Sequence, residues 1–151
     1  MEQEKNIFIS HHHSDVEKTE KIKEILKKNG LEVNDGSINE LKNPNKAKNE
    51  EYIKSLLRPK INWASTMLVL IGDETHKSDY VTWEIEYAAK EGKRIIGIYL
   101  PGEADSIVPE ALEIHGDALV LWDPSSIIKA IQGEDIWNGI KRDWETERSI
   151  C

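Results

Sequence analysis

Glu84 is the residue in this chain best placed for chemistry. It lies in a helical stretch, Asp79 to Glu91, where Val81, Ile85, Ala88 and Ala89 recur at the spacing of one apolar stripe. Tyr80, Trp83 and Tyr87 fall on an adjoining face, and Glu84 sits on the border between the two. A carboxylate in that position is partly withdrawn from water. Desolvation disfavours its charged form, raises its pKa and suits acid–base or charge-stabilising work. An ordinary solvated glutamate on an amphipathic helix is the plainer reading, and the aromatic collar weighs against it. Tyr80, in the first turn, is the better placed of the aromatics for stacking on a ligand; plain packing is expected of Tyr87.

The elements that position Glu84 follow from its flanks. Thr66 to Ile71 and Ile95 to Leu100 are short apolar runs, with a polar loop from Gly72 to Ser78 before the helix and Gly92 after it. Two such runs around one helix read as parallel strands joined by a crossover. Upstream, Asn6 to Ser10 is a first strand and His11-His12-His13 the loop leaving it. Ser14 with Glu17 has the spacing of a capping box, opening a helix that ends at Gly30. Leu31 to Val33 is a weak second strand. Asp35 to Lys48 is a long polar loop carrying Lys42, Lys46 and Lys48. Helical spacing then resumes from Tyr52 to Ala64, with a kink or break expected at Pro59. After the fourth strand come a loop holding a turn at Pro109 to Ile114, a fifth strand at Ala118 to Trp122, a short helix capped by Asp123-Pro124, and a last helix through Ile136, Trp137, Ile140 and Trp144.

This alternation predicts one α/β domain over 1–151: a doubly wound, flavodoxin-like, five-stranded parallel sheet over 6–122, with C-terminal helices over 124–147. Ligands bind such sheets beyond the strand C-termini where the strand order reverses, here between strands one and three. That mouth is flanked by the His11–Ser14 loop and the Gly72–Ser78 loop. The candidate contacts are therefore Phe8, Ser10, His11 and His12 on one side and Tyr80, Trp83 and Glu84 on the other, with Asp35 a weaker candidate.

Composition bounds the partners. A net charge of −8 argues against general affinity for nucleic acid or anionic membrane. The single cysteine, Cys151, excludes disulfides within the chain and fits a reducing compartment. No signal peptide opens the sequence and no apolar run approaches spanning length, so a soluble cytoplasmic protein is expected. Neither a phosphate-binding glycine loop nor H-E-x-x-H occurs. The histidine triplet, alternating in an extended segment, is a poor chelator, and no metal is expected.

The chain resembles the TIR domain, specifically the bacterial TIR-like group of the Thoeris anti-phage systems. The resemblance runs from Asn6 to about Trp122. It rests on Ile7-Phe8-Ile9-Ser10, on Ala64-Ser65 before Thr66 to Gly72, on Lys77 to Glu86 with its Tyr80-x-x-x-Glu84 spacing, and on Glu91-Gly92-Lys93. The histidine triplet departs from the residues often found after the first strand, and Tyr80 stands where Trp is common. The resemblance implies that Glu84 is catalytic and that Tyr80 stacks on the nucleotide. The implied substrate is NAD, cleaved at the nicotinamide–ribose bond. The product would be ADP-ribose or a cyclic isomer that switches on a separate effector, with self-association completing the enzyme. Two other classes stay open: a non-catalytic TIR adaptor acting by self-association, and a nucleoside deoxyribosyltransferase-like enzyme that would also use a glutamate.

Overall fold

The computed structural model describes residues 5–35 and 50–139. The chain runs β1 (Asn6–Ser10), a 3₁₀ segment (His13–Lys18), α1 (Thr19–Lys28), β2 (Glu32–Asp35), α2 (Glu50–Trp63) and β3 (Thr66–Ile71). It continues through a second 3₁₀ turn (Thr75–Lys77), α3 (Asp79–Lys90), β4 (Arg94–Tyr99), α4 (Glu110–His115), β5 (Ala118–Val120) and α5 (Pro124–Ile131). The strands form one sheet in the order β2-β1-β3-β4-β5, and every pairing is parallel. This is the doubly wound α/β architecture the sequence predicts. Its strand order reverses between β1 and β3.

Alternation along the strands sorts the core into two layers. Phe8, Met67, Val69, Ile71 and Ile95 face the layer built with α2, α3 and α4. Ile7, Ile9, Leu68, Leu70, Ile96 and Ile98 face the opposite layer, closed by α1 and α5. Gly97 shares the first face, and its missing Cβ matters. A β-carbon there would stand 2.5 Å from Leu112 Cδ2 and 2.8 Å from Leu119 Cδ1, so glycine lets α4 press on the middle of β4.

Several local expectations are corrected. The segment after β1 is 3₁₀, and its N-cap is His12 rather than Ser14. The His12 ring accepts from the Ser14 backbone amide at 3.1 Å, doing the work assigned to a serine hydroxyl. The second strand begins and ends later than Leu31–Val33. Pro59 neither breaks nor ends α2. It lies on the exposed face, as does Ser55, whose carbonyl loses its helical donor there, while Ile53, Leu57 and Ile61 anchor the helix on the core side.

Ile136 and Trp137 are not helical. The Leu119 amide donates to the Ile136 carbonyl and the Asn138 amide to the Leu119 carbonyl, both at 2.7 Å, so this segment lies extended beside β5. An open strand edge offers backbone partners that outweigh a short helical pattern. Ile136 and Trp137 accordingly pack into opposite layers. The expected loop over 36–48, including Lys42, Lys46 and Lys48, and the end of the last helix, with Ile140 and Trp144, lie outside the described residues. Among the described residues, no helix is long and apolar enough to cross a membrane.

Candidate active site

Strand alternation aims Ser10. It follows Phe8 by two residues, so it points to the same layer, where α3 covers the sheet. On α3 the inner stripe is Val81, Glu84, Ile85 and Ala88. Glu84 is thus within the buried stripe rather than at its border. The Ser78 hydroxyl caps α3 by accepting from the Val81 amide at 3.2 Å, which fixes where the first turn begins and hence where Glu84 projects.

Glu84 and Ser10 meet. The Ser10 hydroxyl donates to Glu84 Oε1 at 2.7 Å across 74 residues of sequence. Glu84 is 3% exposed and Ser10 fully buried. Burial pushes the Glu84 carboxyl up to about 8, against a smaller opposing effect of the Ser10 hydrogen bond. The free protein at neutral pH therefore holds this group mostly protonated. Binding a cationic or cation-forming ligand favours the ionised form, because the new charge offsets what desolvation costs.

The two loops at the mouth are held by their own side chains. The Gly72 amide donates to Thr75 Oγ1 at 2.8 Å, and the Thr75 hydroxyl donates to the Leu70 carbonyl at 3.3 Å, pinning the loop to the end of β3. On the other side, His12 Nδ1 accepts from the Ser14 amide, which places the ring proton on Nε2. Burial and the neighbouring His13 lower the His12 pKa; Asp15, Glu74 and Asp73 oppose this. The His11 ring lies with Nδ1 3.0 Å from the His12 carbonyl. Among the described residues, no group of three or more His, Cys, Asp or Glu side chains is gathered as a metal site.

The remaining candidates divide. Phe8 is fully buried in the α3-side core and underlies Ser10. Tyr80 is half-buried at the start of α3; its hydroxyl is out of contact with water and lacks a hydrogen-bond partner. Burial, and secondarily the charge of Glu50, raise its pKa. Trp83 stacks on Tyr87 with centroids 5.4 Å apart, under Lys54 and Arg58 of α2. It is committed to the α2 contact, not gathered with Ser10 and Glu84. The backbone of Asp35 ends β2 beside Ile9, and its side chain falls outside what the structure describes.

One further group was not singled out from the sequence. Asp15 is 4% exposed, and its carboxylate packs against Gly72 at the end of β3. In sequence it is one acidic residue in an expected first helical turn, and nothing in the pattern marks it. Only the folding of the loop back onto β3 does so.

A flavodoxin-like sheet with a buried glutamate–serine pair at its switch point defines the class: a doubly wound α/β domain with a candidate active site. The chain belongs to the family described as Thoeris protein ThsB, TIR-like domain, whose model matches residues 8–105. Among solved structures it is similar to the Clostridium botulinum CMP N-glycosidase BcmB, with a TM-score of 0.55 and 17% identity over 85% of this chain and 98% of that one. It is also similar to a conserved protein from Enterococcus faecalis V583, with a TM-score of 0.53 and 11% identity over 92% and 93% of the two chains. At these identities the likeness speaks for the fold alone. No sequence relative was found among curated proteins.

Proposed function

We propose that this protein is an NAD-cleaving enzyme of anti-phage defence, using Glu84 to break the nicotinamide–ribose bond. The observation that carries the reading is the buried Glu84 carboxyl held by Ser10 at the switch point of a Thoeris TIR-like chain. Nicotinamide is already a cationic leaving group, so no acid needs to protonate it. As the C1′–N bond breaks, its electron pair leaves with the ring and positive charge develops on the ribose. An ionised Glu84 offsets that charge more strongly for being buried away from bulk water. Water as acceptor yields ADP-ribose and a proton; an internal hydroxyl or adenine nitrogen yields a cyclic isomer. We favour the cyclic isomer, acting on a separate effector. Self-association of the chain serves as the switch that keeps NAD from being consumed continuously.

Incubation with NAD tests this: release of nicotinamide is expected, with the nucleotide product identified by mass spectrometry. No nicotinamide release at any protein concentration overturns it.

One observation favours a second reading. A Glu84 protonated at neutral pH is suited to donate a proton to a neutral base as it leaves. A nucleoside monophosphate would then be the substrate, as the name of the Clostridium botulinum neighbour, a CMP N-glycosidase, says of that protein. The two readings differ in the pH dependence of kcat/KM. For NAD, the rate should rise about tenfold per pH unit below a bend near pH 8 and flatten above it. For acid catalysis it should be flat below the bend and fall above it.

A further inference from the structure

Glu84 is 3% exposed and Ser10 is fully buried, so the pair is sealed in the free protein. A carboxylate that is to meet a sugar at its anomeric carbon has to be reached by it, so some side chain must move. Helix geometry points to which one. Tyr80 precedes Glu84 by four residues in α3, one turn away on the same face, with β-carbons about 5–6 Å apart. The helix starts beyond the carboxyl end of β3, the end of the sheet at which Ser10 closes β1, so its first turn stands on the mouth side of Glu84. Helical side chains lean toward the helix N-terminus, and the Glu84 carboxyl therefore leans toward the turn that carries Tyr80. A second, independent observation concerns the phenol itself. Its ring is half-buried against the α3-side core, yet its hydroxyl is out of contact with water and has no hydrogen-bond partner. A buried hydroxyl in that state has lost its hydration and gained nothing in exchange, so the inward position carries a penalty that turning outward would relieve.

We propose that the Tyr80 side chain is a gate over Glu84, closed in the free protein and turned outward when a nucleotide enters. The unpaired hydroxyl brings the closed and open positions near each other in free energy, so an entering ligand has only a small difference to supply. Closed, the ring keeps water from the carboxyl; open, it uncovers the carboxyl and frees its own face for the ligand. The ligand's identity rests on the proposed nucleotide cleavage, whereas the cover over Glu84 does not.

The test compares the parent with Tyr80→Ala, Tyr80→Phe and Tyr87→Ala by NMR titration of the Glu84 carboxyl carbon, melting without ligand and calorimetric titration with ADP-ribose. Tyr80→Ala removes the cover, so Glu84 should titrate well below the parent's value of about 8, toward the ordinary 4.5. Tyr80→Phe keeps the cover and drops only the unpaired hydroxyl. Glu84 should then titrate as in the parent, and the unliganded protein should melt higher. ADP-ribose should bind this variant roughly tenfold more weakly, because the closed position is now the more favoured. Tyr87 stacks on Trp83 and donates to Asn62, so Tyr87→Ala should leave the Glu84 titration unchanged.

Three results overturn the gate while leaving the proposed reaction standing. They are a Glu84 that titrates in Tyr80→Ala as it does in the parent, an equal fall in Tyr87→Ala, and a Tyr80→Phe protein that melts no higher than the parent. A parent that neither binds ADP-ribose nor releases nicotinamide from NAD overturns the proposed reaction and, with it, the gate's role in admitting a nucleotide.

Discussion

At the scale of single residues, the chemistry turns on the cost of burying Glu84. Its folded-state pKa, about 8, lies above the ordinary value of 4.5. The folded state therefore favours the protonated form, and the stability this confers is complete below about pH 4.5 and lost as pH rises through 8. Glu84→Gln cannot ionise and keeps an oxygen for the Ser10 hydroxyl. Its melting temperature should match the parent near pH 4.5 and exceed it increasingly toward pH 8, with NAD turnover down by at least roughly a hundredfold. A melting curve that follows the parent at every pH would mean that Glu84 is solvated and freely ionised. Ser10→Ala removes the hydrogen bond that favours the charged form, so the bend in the NAD pH–rate profile should move to higher pH. A bend that stays in place would show that the hydroxyl does not act on Glu84.

Helical spacing put Glu84 beside the core stripe and Tyr80 in the first turn, because both belong to one local pattern. Asp15 and the His12 cap were not legible, since each depends on which loop folds onto which strand. Trp83 shows the same limit. Its face of the helix follows from periodicity, but the cations of α2 that occupy that face do not.

At the scale of elements, the limits of β1 and β3 match the expected Asn6–Ser10 and Thr66–Ile71 runs, each a short stretch whose apolar side chains are fully buried on both faces of the sheet. The parallel pairing followed from those runs and the crossover length, and the reversal point from the flavodoxin-like order that the alternation of strands and helices predicts. Where the sequence misled, backbone partners or a solvent face decided the outcome: the Ile136–Trp137 segment took the free edge of β5, and Pro59, on the exposed face, did not break α2. Gly97 is the element-scale prediction. Gly97→Ala places a methyl group against Leu112, Leu119 and Ile71, each already packed in the core. It should cost about 1–3 kcal/mol of stability in urea unfolding. An unchanged midpoint would show that α4 can retreat from β4 freely.

At the scale of the whole molecule, the proposed NAD cleavage would call for regulation from outside the Ser10–Glu84 pair, because an NAD-cleaving enzyme that never switched off would harm its own cell. Exposed apolar side chains among the described residues, such as Trp63, Ile107 and Leu121, are scattered through the chain and do not by themselves choose a contact surface. If assembly is the switch, activity per chain should rise with protein concentration. A dilution series with constant turnover per chain, and a monomer throughout, would contradict self-association as the switch.

Cleavage of the nicotinamide–ribose bond by way of Glu84 is what the whole reading stands on. The decisive measurement is nicotinamide released from NAD by the parent and by Glu84→Gln, at the same high protein concentration and at pH 8. Release by the parent is expected, with at least roughly a hundredfold less from the variant while the variant stays folded. Equal release by both, or release by neither while a nucleoside monophosphate loses its base, would contradict it.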